Sequence, residues 1–233
     1  MSAAATTRRI LTQLRHDPRT VVMLVLVPTL LMILLRYVFN STLVFSHVAP
    51  ALLGVFPFLI MFLIASITTL RERTTATLER LMTLPIGRLD LLFGYALAFG
   101  AIAVVQVSLA AGVSLWWLGL DLAGSVGMLL VIAVLDALLG MALGLFVSAF
   151  ARTEFQAIQF MPVFVLPQIL LCGLIAPRDE MSGALQAISD ALPMTYAVEA
   201  MSEHSAGLDL LVVAVSAAAA LALGAVTLRR RSA

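Results

Sequence analysis

Val126-Gly127-Met128-Leu129-Leu130-Val131-Ile132-Ala133-Val134-Leu135-Asp136-Ala137-Leu138-Leu139-Gly140-Met141-Ala142-Leu143-Gly144-Leu145-Phe146-Val147-Ser148-Ala149-Phe150 holds a single charged side chain. The stretch exceeds the about 20 apolar residues that a bilayer crossing requires. Hydrocarbon offers no partner for backbone amides, so a segment of this length satisfies its own hydrogen bonds as a helix. A barrel strand would be about half as long and alternate in polarity. Outward from it, apolar stretches recur at 20–39, 50–70, 90–118, 156–176 and 208–228. With 126–150 they predict an all-α polytopic membrane protein of six transmembrane helices, one transmembrane domain over 1–233. Composition agrees: 62% of residues are hydrophobic, 12% charged, and mean hydropathy is +1.08, against roughly half apolar and a quarter charged in soluble domains.

The basic residues orient the spans. All 14 are arginine, with no lysine anywhere. With the N-terminus inside, cytoplasmic segments carry Arg8, Arg9, Arg15, Arg19, Arg71, Arg73, Arg80, Arg88, Arg152, Arg229, Arg230 and Arg231. Arg36 and Arg178 fall outside, where Asp121, Asp179, Glu180, Asp190, Glu199, Glu203 and Asp209 collect. The positive-inside rule therefore places both termini in the cytoplasm. The first span follows a basic stretch without a cleavage signal and reads as an uncleaved helix. Pro28, Pro57, Pro162 and Pro167 lie within spans, and the fifth span in particular is expected to kink.

Three segments are neither spans nor plain loops. In 1–19, Ile10, Leu11 and Leu14 occupy one helical arc and Arg8, Arg9, Thr12, Gln13 and Arg15 the other. That is the pattern of a helix lying in the interface; a basic tail is the plainer alternative. In 71–89, Leu78, Leu81 and Met82 recur at helical spacing among Arg71, Glu72, Glu79 and Arg80, and Pro85 closes the stretch. A docking element for another protein and an unpartnered surface helix fit this pattern equally. In 177–207, two apolar groups flank Pro193, consistent with two short helices that dip back toward the membrane as a re-entrant hairpin or with an ordinary external loop.

Several chemistries are excluded. A phosphate-gripping P-loop needs a lysine, and there is none. No His-Glu-x-x-His or Gly-x-Ser-x-Gly motif occurs, and His16, His47 and His204 are scattered, so no catalytic or metal-ligating set is expected. Cys172 stands alone, and the arginines follow membrane topology rather than nucleic acid. Within the fourth span, Asp136, Gly140, Gly144 and Ser148 share one face at four-residue spacing. A carboxylate there needs a protein or wet environment, and the small-residue stripe invites close helix packing. Asp136, Gly140 and Gly144 therefore line either a substrate path or a subunit seam, or Asp136 is a protonated acid bonded within the bundle.

Four stretches carry a family resemblance: Leu14-Arg15-His16-Asp17-Pro18-Arg19, Arg71-Glu72-Arg73 with Thr77-Leu78-Glu79-Arg80-Leu81 and Pro85, Gln159 to Pro167 with Gly173, and Leu192-Pro193-Met194-Thr195-Tyr196-Ala197-Val198-Glu199-Ala200. In this order the chain resembles permease subunits of the ABC-2 type transporters, in particular the drug and antibiotic exporter branch with the daunorubicin-resistance permeases. Thr74 and Ala76 stand where that family usually has Glu and Gly. The resemblance implies an interfacial connecting helix at 1–19 and a coupling helix in 71–89 that docks on a separate ATPase through Arg71, Glu72, Leu78, Glu79, Arg80 and Leu81. It further implies an external gate region with Pro193, Tyr196 and Glu199. ATP and magnesium would be bound by the ATPase partner and none by this chain, which is itself no enzyme. A second permease copy or paralogue would complete the conduit for a small hydrophobic, drug-like or lipid-like substrate in a bacterial inner membrane. Three rivals remain: export of a cell-surface glycan, a proton-coupled carrier using Asp136, and a non-transporting scaffold. A carrier would show broken inverted repeats, which this sequence lacks.

Overall fold

Apolar runs cut by prolines and polar turns become helices and corners in the computed structural model, which describes residues 3–74, 88–122, 124–203 and 207–230. In chain order these are α1 (Ala3–Arg15), α2 (Pro18–Phe39), α3 (Thr42–Thr74), α4 (Arg88–Trp116), α5 (Val126–Ser148), α6 (Glu154–Phe164) and α7 (Leu166–Leu171). A short 3₁₀ turn (Arg178–Glu180) precedes α8 (Gly183–Asp190), α9 (Pro193–Glu203) and α10 (Leu208–Arg230). Every regular element among the described residues is helical. Leu78, Glu79, Arg80 and Leu81, expected on the helix between the second and third spans, lie outside the described residues.

Helices α2, α3, α4, α5 and the α6–α7 pair are long and apolar enough to cross a bilayer, and α10 adds a shorter apolar run at Leu208–Gly224. Helix α3 is 33 residues long, about 50 Å at 1.5 Å per residue, so it outreaches a hydrocarbon core about 30 Å thick. The two central helices, α3 and α5, form the most extensive contact, and α10 covers the other side of α5. Glycine makes the α3–α5 seam possible. A Cβ on Gly140 would lie 2.3 Å from the Phe58 carbonyl oxygen, and one on Gly144 2.4 Å from that of Phe62. No larger side chain fits unless the helices separate.

Helix α1 lies across α4 and touches α2, burying Ile10 and Leu14 against Leu24, Met61, Tyr95 and Phe99. Leu11, expected on the same apolar arc, stays 38% exposed. Between α1 and α2, Asp17 caps α2 by accepting from the Thr20 hydroxyl at 2.7 Å and the Thr20 N–H at 3.2 Å. These bonds hold its carboxyl below the usual carboxylate range, with Arg71 and Arg19 adding a smaller pull. Asn40 ends α2 in the left-handed conformation, a position asparagine tolerates better than most residues.

The expected kink in the fifth span is a break at Val165 between α6 and α7. Pro167 has no N–H to return to the carbonyl four residues back. That leaves the Val163 carbonyl without its helical donor, and the next carbonyl, Phe164, accepts from the Gln168 side-chain amide at 2.9 Å. Past α7 the chain turns at Gly173, whose φ of +88° suits glycine. Helix α9 then packs among α3, α5 and α10, burying Met194, Ala197, Val198, Ala200 and Met201. By contrast α2 and the α6–α7 pair keep most of their apolar surface exposed, as suits lipid or another protein subunit.

Candidate functional site

At the arginine-rich end, α3 finishes on two neighbouring charges that point different ways. Glu72 turns inward, is 6% exposed, and takes Arg9 of α1 at 3.3 Å and the Tyr95 hydroxyl of α4 as donors. Three helices distant in sequence meet on one carboxylate. Arg71 turns outward and pairs in fork geometry with Glu154 at the start of α6, Nε to Oε1 at 2.6 Å and an amino group to Oε2 at 3.1 Å. The end of α3 is thus tied by Glu72 to α1 and α4 and by Arg71 to α6, immediately before residues 75–87. Arg9, expected on the polar arc of α1, is drawn inward by Glu72; a buried charge pairs rather than stay alone.

Beside this junction a cavity of about 460 Å³ opens among α1, α2 and α3. Ile10, Leu14, Met23, Ile64 and Ile67 form its apolar wall, while Gln13, Asp17, Thr20, Thr68, Arg71 and Glu72 line the rest. Its volume falls within the range of small-molecule sites, roughly 300–1,000 Å³.

In the middle of the bundle, Asp136 is fully buried and neither carboxylate oxygen has a hydrogen-bond partner among the described residues. A Cβ placed on Gly54 of α3 would come within 3.1 Å of Asp136 Oδ2 and 2.2 Å of Met201 Cε. Asp136 therefore sits where α3, α5 and α9 converge, with Gly140 and Gly144 below it on the α3 seam of the same chain. Gln106 of α4 is likewise fully buried without a partner for its amide. Intramembrane polar groups of this kind mark functional positions by default.

The opposite corner is built around Arg178, whose guanidinium donates to Asp190 and Glu199. The Arg178 carbonyl accepts from Gln186 at 2.8 Å. Ser189 Oγ donates to the Leu171 carbonyl at 2.7 Å, Thr195 Oγ1 to the Ser189 carbonyl at 2.9 Å, and Tyr196 to the Asp190 carbonyl at 2.7 Å. Pro193 opens α9. The three residues expected at an external gate, Pro193, Tyr196 and Glu199, thus share one knot. Arg36, the other arginine expected outside, donates to the Leu118 carbonyl at 3.0 Å.

Residues 3–204 match the ABC-2 type transporter family. The chain belongs to that family. As an ABC-2 protein it is an integral membrane protein that crosses the bilayer several times. It is 26% identical over 149 residues to a probable multidrug ABC transporter permease, YbhR, of Escherichia coli K12, covering 64% of this chain and 40% of the relative. With the similarly described YbhS of the same organism it shares 28% over 168 residues, 71% of this chain and 45% of the relative. A linearmycin resistance permease protein, LnrN, of Bacillus subtilis is 27% identical over 136 residues, 58% of this chain and 35% of the relative. The chain spans less than half the length of these curated relatives.

Sequence reasoning singled out Arg71, Glu72, Asp136, Gly140, Gly144, Pro193, Tyr196 and Glu199. It missed Arg9, Tyr95 and Glu154, which complete the arginine-rich junction, and Gly54, Met201 and Arg178, which complete the other two sites. A signal existed for Arg178 and Arg36: they are the two arginines that the positive-inside rule leaves outside.

Proposed function

We propose that this ABC-2 chain is the membrane subunit of an exporter that moves a hydrophobic drug-like or lipid-like molecule out of a bacterial cell, driven by a separate ATPase subunit. The observation that carries this reading is the end of α3, where Glu72 and Arg71 tie α1, α4 and α6 to the helix that leads into residues 75–87. A push delivered to that segment would reach α1 and α6 through charge pairs and α4 through a hydrogen bond. Glu72 faces inward and acts from within the chain, while Leu78, Glu79, Arg80 and Leu81 form the contact with the ATPase. ATP and magnesium sit on that partner.

Two copies of the chain, or the chain and a paralogue, enclose the conduit, a role to which the exposed apolar faces of α2 and α6–α7 are suited. Asp136 sits along the mobile seam between α3, α5 and α9, and the Arg178 knot with Pro193, Tyr196 and Glu199 closes the outer end. Relatives described as multidrug and linearmycin-resistance permeases support a drug-like cargo.

The test is reconstitution with a candidate partner ATPase. Glu79→Ala with Arg80→Ala should abolish substrate-stimulated ATP hydrolysis and export, with the protein still folded and inserted. Export by the chain alone in vesicles would overturn the proposal.

A further inference from the structure

We infer that the groove between α1 and α4 is a binding site for one anionic glycerophospholipid from the leaflet at the arginine-rich end. The groove has a volume of about 570 Å³ and is lined by Ala4, Thr7, Arg8, Leu11, Thr12, Arg15 and Leu97. Arg8 and Arg15 are seven residues apart, two turns of helix, so they lie on the same side of α1. Both are exposed, and neither forms an ion pair among the described residues. No acid lines the groove, and α1 carries none at all. Two guanidinium groups over one groove are suited to a phosphate, which arginine binds through forked hydrogen bonds.

The floor argues for a lipid rather than a free anion. Leu97 is 56% exposed and Leu11 38% exposed, an apolar track that water covers poorly and an acyl chain covers well. It lines the same groove as the two arginines, which lets one phospholipid offer its phosphate to the guanidinium groups and an acyl chain to the leucines. The charge complement is at hand, since cytoplasmic leaflets present anionic headgroups to basic segments beside a membrane helix. The contrast between neighbouring residues sharpens the assignment. Arg9 is consumed by Glu72 on the inner face of α1, whereas Arg8, one position away, lines the groove. A bound lipid would therefore clamp α1 from outside while Glu72 holds it from inside, and leaflet composition would set how firmly α1 stays on α4. This site does not depend on the cargo or on the ATPase.

Native mass spectrometry of the purified chain, equilibrated with equal amounts of phosphatidylglycerol and phosphatidylcholine, tests it. The wild type should retain phosphatidylglycerol with about thirtyfold preference, the scale expected of two arginines at a charged surface. Arg8→Gln with Arg15→Gln should abolish the preference. Arg19→Gln with Arg152→Gln removes as many charges from the same end and should preserve it. Equal loss in the two double variants would mean diffuse surface charge and overturn the site. Leu97→Trp, which fills the acyl track and touches neither arginine, should reduce phosphatidylglycerol retention several-fold, so the test survives if the arginine variant fails to fold. Unchanged retention in Leu97→Trp, or displacement of the lipid by millimolar inorganic phosphate, would overturn the lipid assignment.

Discussion

The two ends of this molecule are both organised around ion pairs, but the pairs differ in reach. At the arginine-rich end, Glu72 meets Arg9 from 63 residues away and Tyr95 from 23, and Arg71 meets Glu154 from 83. At the acidic end, Arg178 meets Asp190 and Glu199 from 12 and 21 residues away. The first set stitches separate spans together; the second folds one corner upon itself. A displacement applied at the first end is shared by four helices through polar bonds, whereas the second set braces α8 to α9 and leaves the link from α9 to α3, α5 and α10 to apolar packing. The same chemistry thus couples separate spans at one end and braces a local corner at the other.

Four substitutions break or sharpen this contrast, taken from the largest expected effect. Both ends rely on the common α3–α5 seam, so Gly140→Val, which meets backbone at 2.3 Å, should cost more than about 3 kcal/mol, beyond ordinary overpacking. Its signature in thermal unfolding would be loss of both ends together. Glu72→Ala leaves Arg9 without its partner and should cost about 3 kcal/mol, the lower end for a broken buried pair. Adding Arg9→Ala should recover part of that loss in a double-mutant cycle.

Arg178→Ala should cost about 1 kcal/mol, as its partners are partly solvated, and hydrogen exchange should quicken in α8 and α9 while α4 stays protected. Equal loosening of α4 would erase the proposed difference between the ends. Smallest is Arg71→Ala. Its side chain and that of Glu154 are 60% and 47% exposed, so the loss should stay below about 1 kcal/mol and shrink further in high salt.

How much of this was legible in the sequence follows from the range of each force. The spans were readable because the bilayer imposes a length and a composition on each crossing separately, with no reference to the rest of the chain. The Val165 break was readable because proline acts within one turn. The glycine stripe at Gly140 and Gly144 announced a close neighbour but did not name it, since nothing local marks Phe58 or Phe62 as the carbonyls it meets. The Glu72 junction was the least readable. Arg9 and Tyr95 look like an interfacial cation and a span aromatic until the fold brings them to one carboxylate. Arg71 and Glu72 were picked out for their place beside the polar loop, and the opposite directions they take are visible only in three dimensions.

The amide of Gln168 has a mechanical corollary. Its nitrogen holds the Phe164 oxygen, so at the gap between the two half-helices one carbonyl is served by a side chain that can turn with the bend. The amide's own oxygen is buried without a partner among the described residues, so the joint holds one spare acceptor that a donor brought up by a change of bend would satisfy.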